Sequence, residues 1–105
     1  MLNQEIAIKK VKSFAEELAQ KGIKLDKVIL FGSYSINRQN ENSDIDVALV
    51  SDMFFGFGFE DRRLFSEINI KKEYLDIETK TYSTEYFEES DPFIEEIKRT
   101  GIEVE

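Results

Sequence analysis

Apolar positions recur along the first segment at helical intervals. Ala7, Val11, Phe14 and Leu18 follow one another at spacings of four, three and four, with Ile6, Ala15 and Ala19 widening the stripe. Asn3 suits the N-cap of such a helix, and Gly22 its C-terminal stop. The pattern then shortens. Lys27-Val28-Ile29-Leu30-Phe31 is a brief, β-branched apolar run closed by Gly32-Ser33, which predicts a buried strand. Tyr34 to Ser43 is polar and rich in Asn and Ser, compatible with a short helix or an open loop. A second strand follows over Asp44 to Val50. Alternation puts Ile45, Val47 and Leu49 on one face and Asp44, Asp46, Ala48 and Val50 on the other.

Beyond Val50 the chain passes through a loop, Met53 to Phe59, where Phe54, Phe55, Phe57 and Phe59 interleave with Gly56 and Gly58. Asp61, Leu64, Phe65 and Ile68 return to helical spacing, with Glu60 or Asp61 as a possible cap. Glu73 to Tyr82 predicts a third strand, with Leu75, Ile77, Thr79 and Thr81 facing one way and Asp76, Glu78 and Lys80 the other. Ser90-Asp91-Pro92 is a helix start, Pro occupying the first helical position. Phe93, Ile94 and Ile97 give that helix its apolar face, Gly101 ends it, and Ile102 to Glu105 fits a last short strand. The order predicts an α/β (α+β) fold with a small mixed sheet flanked by helices. No repeat, linker or low-complexity tract divides it, so residues 1–105 read as a single domain.

Composition narrows the chemistry. The 105 residues contain neither Cys nor His, which excludes disulfides, thiolate sites, imidazole bases and His-ligated zinc. Acid–base or metal work falls to carboxylates, Lys or Tyr. With 14 Lys plus Arg against 22 Asp plus Glu, the net charge is −8, which opposes binding of long nucleic acid through its phosphates. Much of that charge lies after Ser83, where an acidic helix face exposed to water and an acidic surface for a basic partner are both open readings. The N-terminal segment carries Glu5, Glu16 and Glu17 and lacks the unbroken apolar core of a signal peptide. No run approaches the ~18 apolar residues of a membrane span. These features predict a soluble, cytoplasmic protein without membrane contact.

The stretch from Leu30 to Val50 carries the chemistry. Asp is poorly suited to strand interiors, and clustered carboxylates repel, raising at least one pKa. Divalent cations remove that cost. Side chains two apart on a strand share a face at about 6.5 Å, close enough for Asp44 and Asp46 to converge on a metal pair. An all-oxygen donor set suits Mg²⁺ or Mn²⁺, and Mg²⁺ held by few carboxylates implies a nucleoside triphosphate as the remaining ligand. Asp76, if it lies on the neighbouring strand, would complete the metal site or take a proton from an attacking hydroxyl. Gly32 at a strand end lets backbone approach a ligand closely, and the Ser33 hydroxyl with nearby N–H groups would hold phosphate.

Gly32-Ser33, a ten-residue gap, and Asp44-Ile45-Asp46 inside an apolar strand together resemble the signature of the DNA polymerase β-like nucleotidyltransferases. The length is similar to that of the minimal nucleotidyltransferases, the MNT proteins. Asp76 matches the third acidic strand position, and the resemblance extends from Val11 to Thr81. It implies a nucleotidyltransferase fold and ATP as substrate. It further implies two Mg²⁺ ions held by Asp44, Asp46 and Asp76, which are also the catalytic residues, and a triphosphate held at Gly32 and Ser33. The segment after Gly-Ser departs from the relatives: Tyr34 to Asn40 has no Gly, and Arg38 is its candidate phosphate contact.

The resemblance also implies a partner. Many minimal members pair with a helical HEPN protein in a toxin–antitoxin system and transfer AMP to a tyrosine of that toxin. A domain this small has little material to enclose both base and acceptor, so a second protein or a second copy would supply the other wall. For the Phe-rich loop three readings stand open: rings folded over the core, a partner interface, or stacking on the base. Two other functions compete with protein adenylylation: a non-catalytic module that neutralises its partner by contact, and a nucleotidyltransferase subunit modifying a small molecule such as an aminoglycoside.

Overall fold

The computed structural model describes residues 3–104; Met1, and Glu105 at the end of the expected last strand, lie outside them. Helix α1 spans Gln4–Gln20 and buries Ala7, Val11, Phe14, Ala15 and Leu18. The Asn3 carboxamide accepts from the Ile6 N–H at 2.8 Å. At the other end Gly22 takes a φ of 101°, which lets the Ile23 N–H reach back to the Leu18 carbonyl in a left-handed cap. Ile6 stays 45% exposed, so the buried stripe is narrower than the sequence pattern.

Four strands form one sheet in the order β3-β2-β1-β4. Strands β1 (Lys27–Phe31) and β2 (Ile45–Val50) run antiparallel, with Phe31 opposite Asp46. Strand β3 (Ile77–Tyr82) runs parallel to β2, with Asp46 opposite Glu78 and Val50 opposite Tyr82. Strand β4 is only Ile102–Glu103, pairing antiparallel with β1. A parallel pair needs a crossover. Here it contains two short helices, α2 (Gly58–Arg62) and α3 (Ser66–Asn69), and a 3-10 turn over Lys72–Tyr74.

The strand alternation divides the core in two. Ile45, Val47 and Leu49 join Val28, Leu30 and Ile77 against α1, Phe65 and Ile68. On the other face Ile29, Ala48, Val50 and Tyr82 pack against α4 (Thr84–Glu89) and α5 (Pro92–Thr100) through Phe87, Ile94 and Ile97. Asp91 caps α5 by accepting from the Ile94 N–H at 2.7 Å, with Pro92 at its start.

Three elements differ from the sequence pattern. The single helix expected from Asp61 to Ile68 is two, because Asp61 turns inward and is buried. The third strand begins at Ile77 rather than Glu73. Tyr74 is drawn into the core, where its hydroxyl meets Ser13 at 2.8 Å and Glu17, and the chain before Ile77 coils to allow it. Asp76 therefore stands at the mouth of β3 rather than mid-strand, and Leu75 is 66% exposed. Helix α4 was not expected; Ser83 caps it and Phe87 alone anchors it, too little apolar signal to register as a period.

Candidate active site

The site forms where the parallel strands β2 and β3 begin. The Ile45 N–H donates to the Asp76 carbonyl at 2.8 Å, setting the Asp44 and Asp76 backbones side by side. One residue further, Asp46 and Glu78 are register partners and share a face by strand alternation. Glu78 and Asp44 are the charges that weigh on Asp46. Partial burial first, then Glu78 and then Asp44, push the Asp46 carboxyl up to about 6.

Gly32 closes the other side. It follows β1 with a φ of 75° and opens the 3-10 turn Gly32–Tyr34. A Cβ on Gly32 would sit 2.2 Å from Asp46 Oδ2, so the absence of a side chain is what allows backbone and carboxylate to approach. The turn is held from within: the Ser35 hydroxyl donates to the Gly32 carbonyl at 2.7 Å, and the Arg38 N–H to the Ser33 carbonyl at 2.8 Å. Gln4 at the start of α1 donates to the Tyr34 carbonyl at 2.9 Å, fixing the turn against the helix. Ser43 shapes the return, accepting from the Asn40 N–H at 2.9 Å.

Of the residues singled out in the sequence, Gly32 and Asp46 meet at this mouth, Ser33 follows in the same turn, and Asp44 is near enough for its charge to act on Asp46. Asp76 is paired with helix α1. Its carboxylate accepts from Lys10 Nζ of α1 at 3.1 and 3.2 Å. It shares a shallow depression with Asp44, Arg62 and Glu78, but among the described residues no three acidic side chains converge to metal-holding distance. Glu78 is the carboxylate that sequence reasoning left out. Its signal was present, since alternation already put it on the Asp76 face.

Beside Asp46 opens a cavity of about 440 Å³, bounded by Phe31, Gly32 and Ile36 on one wall and by Glu78, Lys80, Phe93 and Ile97 on the other. That volume is within the range of small-ligand sites. Phe31 and Phe93 meet edge to face at 5.8 Å, and Lys80 Nζ lies 5.2 Å from the centre of the Phe93 ring. The donor set at the mouth is all oxygen, the chemistry that Mg²⁺ and Mn²⁺ prefer, and the desolvated, crowded Asp46 would gain most from a cation.

The small mixed sheet thus carries Asp46 on β2 with Asp44 just before it, a Gly-Ser turn against Asp46 and a ligand-sized cavity alongside. The chain belongs to the nucleotidyltransferase domain family, whose model matches residues 8–104. A crystal structure from Sulfolobus solfataricus, provisionally assigned as a nucleotidyltransferase, superposes with a TM-score of 0.68 at 19% identity. The match covers 95% of this chain and 80% of that one, and it carries the fold alone. No curated protein matches the chain at a significant level. Domains of this family generally use nucleoside triphosphates and divalent metals. Among the described residues no helix is long and apolar enough to cross a membrane.

Gly32→Ala tests the closeness of turn and carboxylate. The positive φ costs about 1–2 kcal/mol for an L-residue, and the new methyl group must push Asp46 aside. Nucleotide transfer is expected to fall by more than about tenfold, with a smaller drop in the unfolding midpoint. Unchanged turnover would show that the contact is dispensable.

Proposed function

We propose that this chain transfers AMP from ATP, with Mg²⁺, to a hydroxyl of a partner protein, a tyrosine of a HEPN-type toxin, and thereby acts as its antitoxin. The observation that supports transfer is the mouth itself: Asp46, with Asp44 just before its strand, lies against a glycine whose missing side chain lets the Gly-Ser turn close on the carboxylate. Divalent metal bound there would neutralise the carboxylates and polarise the phosphates. The chain's own groups do the rest. Gly32 and Ser33 position the β- and γ-phosphates through backbone N–H groups and the Ser33 hydroxyl. A carboxylate accepts the proton of the acceptor hydroxyl as its oxygen bonds to the α-phosphorus and the bond to the β-phosphate breaks, releasing pyrophosphate. Asp76 takes that role on leaving Lys10; Glu78, already opposite Asp46, is the alternative.

The test is transfer of label from α-labelled ATP, with Mg²⁺, to the partner. Labelled tyrosine is expected with the native chain and none with Asp44→Asn combined with Asp46→Asn. Equal labelling by both would overturn the reading. The Lys10–Asp76 ion pair favours a second reading, neutralisation by contact alone. It requires that neutralisation survive loss of all three Asp.

A further inference from the structure

The other end of the parallel pair carries a feature that nucleotide transfer does not use. The loop after β2 buries Phe54, at 2% exposure, but leaves Phe55, Phe57 and Phe59 at 79%, 69% and 71%. It is nonetheless anchored. Both Asp61 oxygens are committed, Oδ1 to the Phe55 N–H at 2.9 Å and Oδ2 to the Gly56 N–H at 2.9 Å and the Thr81 hydroxyl at 2.8 Å. A buried carboxylate thus fastens the backbone that presents the rings. Clustered exposed apolar surface on a fastened backbone marks an interaction site.

Between this loop and α4 runs a groove with a volume of about 480 Å³. Its apolar walls are Phe55, Phe57, Tyr82 and Tyr86, the two tyrosine rings lying nearly parallel with centres 6.4 Å apart. Its charged lining is Glu85 and Glu89, with no cation among the lining residues. Aromatic faces next to carboxylates suit a guanidinium or ammonium on an apolar stem, which stacks on the rings and pairs with the acids. A second copy of this chain, at −8, and a nucleic acid or anionic membrane are all repelled by the same charge.

We propose that this groove docks a partner protein through an apolar segment bearing Arg or Lys. The surface lies at the Val50–Tyr82 end of the strands and the transfer site at the Asp46–Glu78 end, about 13 Å away along the strand. Docking therefore leaves the transfer site open, and the inference stands on the groove whether or not AMP transfer occurs.

The probe is a short amphipathic peptide with Leu on one face and Arg on the other, compared with its counterpart carrying Glu for Arg. Saturable binding of the Arg peptide is expected, with amide shifts centred on residues 55–57 and 82–89. Phe55→Ser with Phe57→Ser should weaken it by about tenfold or more, and Glu85→Lys with Glu89→Lys should reverse the preference toward the Glu peptide. The changed side chains are all solvent-exposed, and an unchanged unfolding midpoint verifies the fold of each variant. Equal binding of both peptides, no binding, or shifts at the Asp46 end would overturn the proposal. So would self-association in sedimentation that Phe57→Ser abolishes, which would make a second copy the occupant.

Discussion

Asp46→Asn is expected to reduce nucleotide transfer by about a thousandfold or more while making the metal-free chain more stable at neutral pH. Both effects come from one cause. The carboxylate is held partly out of water beside Glu78 and Asp44, and its pKa stands at about 6. A raised carboxyl pKa means that the folded state disfavours the charged form relative to the unfolded chain. The penalty is fully present above pH 6, shrinks as pH falls through that value, and is absent below the ordinary carboxyl range. With allowance for screening at a part-exposed site, it is worth about 1–2 kcal/mol. The Asn variant should therefore unfold later than the native chain at pH 7.5 and together with it near pH 4. Chemical denaturation across that range measures the convergence. A variant that loses activity and stability together would mean that Asp46 is structural. Deprotonated Asp46 is also the form that binds a cation, so metal affinity should rise with pH, and saturating metal should move that rise below the metal-free value.

The largest loss of stability is expected at Asp61→Ala, about 2–4 kcal/mol. The substitution strands two backbone N–H groups and the buried Thr81 hydroxyl, each without its acceptor. The effect should be local as well as global. Hydrogen exchange at Phe55 and Gly56 should accelerate more than at the α1 amides, because their only described partner is this carboxylate. A uniform acceleration, or a cost below about 1 kcal/mol, would show that water replaces the carboxylate easily.

Much of this was legible in the sequence, and the reason is local periodicity. α1, β1, β2 and α5 each bury a continuous stripe or run, so their patterns survive without knowledge of what they pack against. The elements that shifted depend on distant partners. Tyr74 leaves the expected strand for Ser13 and Glu17 across the core. Asp61 interrupts a helix in order to reach Phe55, Gly56 and Thr81. Neither contact leaves a period in the chain. The site divides in the same way. Asp44, Asp46 and Gly32 lie on or beside contiguous strand ends, whereas the importance of Glu78 follows from the β2–β3 register, which the sequence does not state. Of the Phe loop readings, only Phe54 folds onto the core; its three neighbours do not.

The parallel pairing of β2 with β3 has a thermodynamic consequence. Asp46 and Glu78 are neighbours only once the crossover between their strands has closed, so an unfolded chain offers a nucleotide little more than one isolated Asp-Ile-Asp. A ligand that bridges the two strands binds the native form and not the open one. By mass action it stabilises the entire crossover. Saturating triphosphate would then double as a folding partner, and its removal would leave the crossover easier to open.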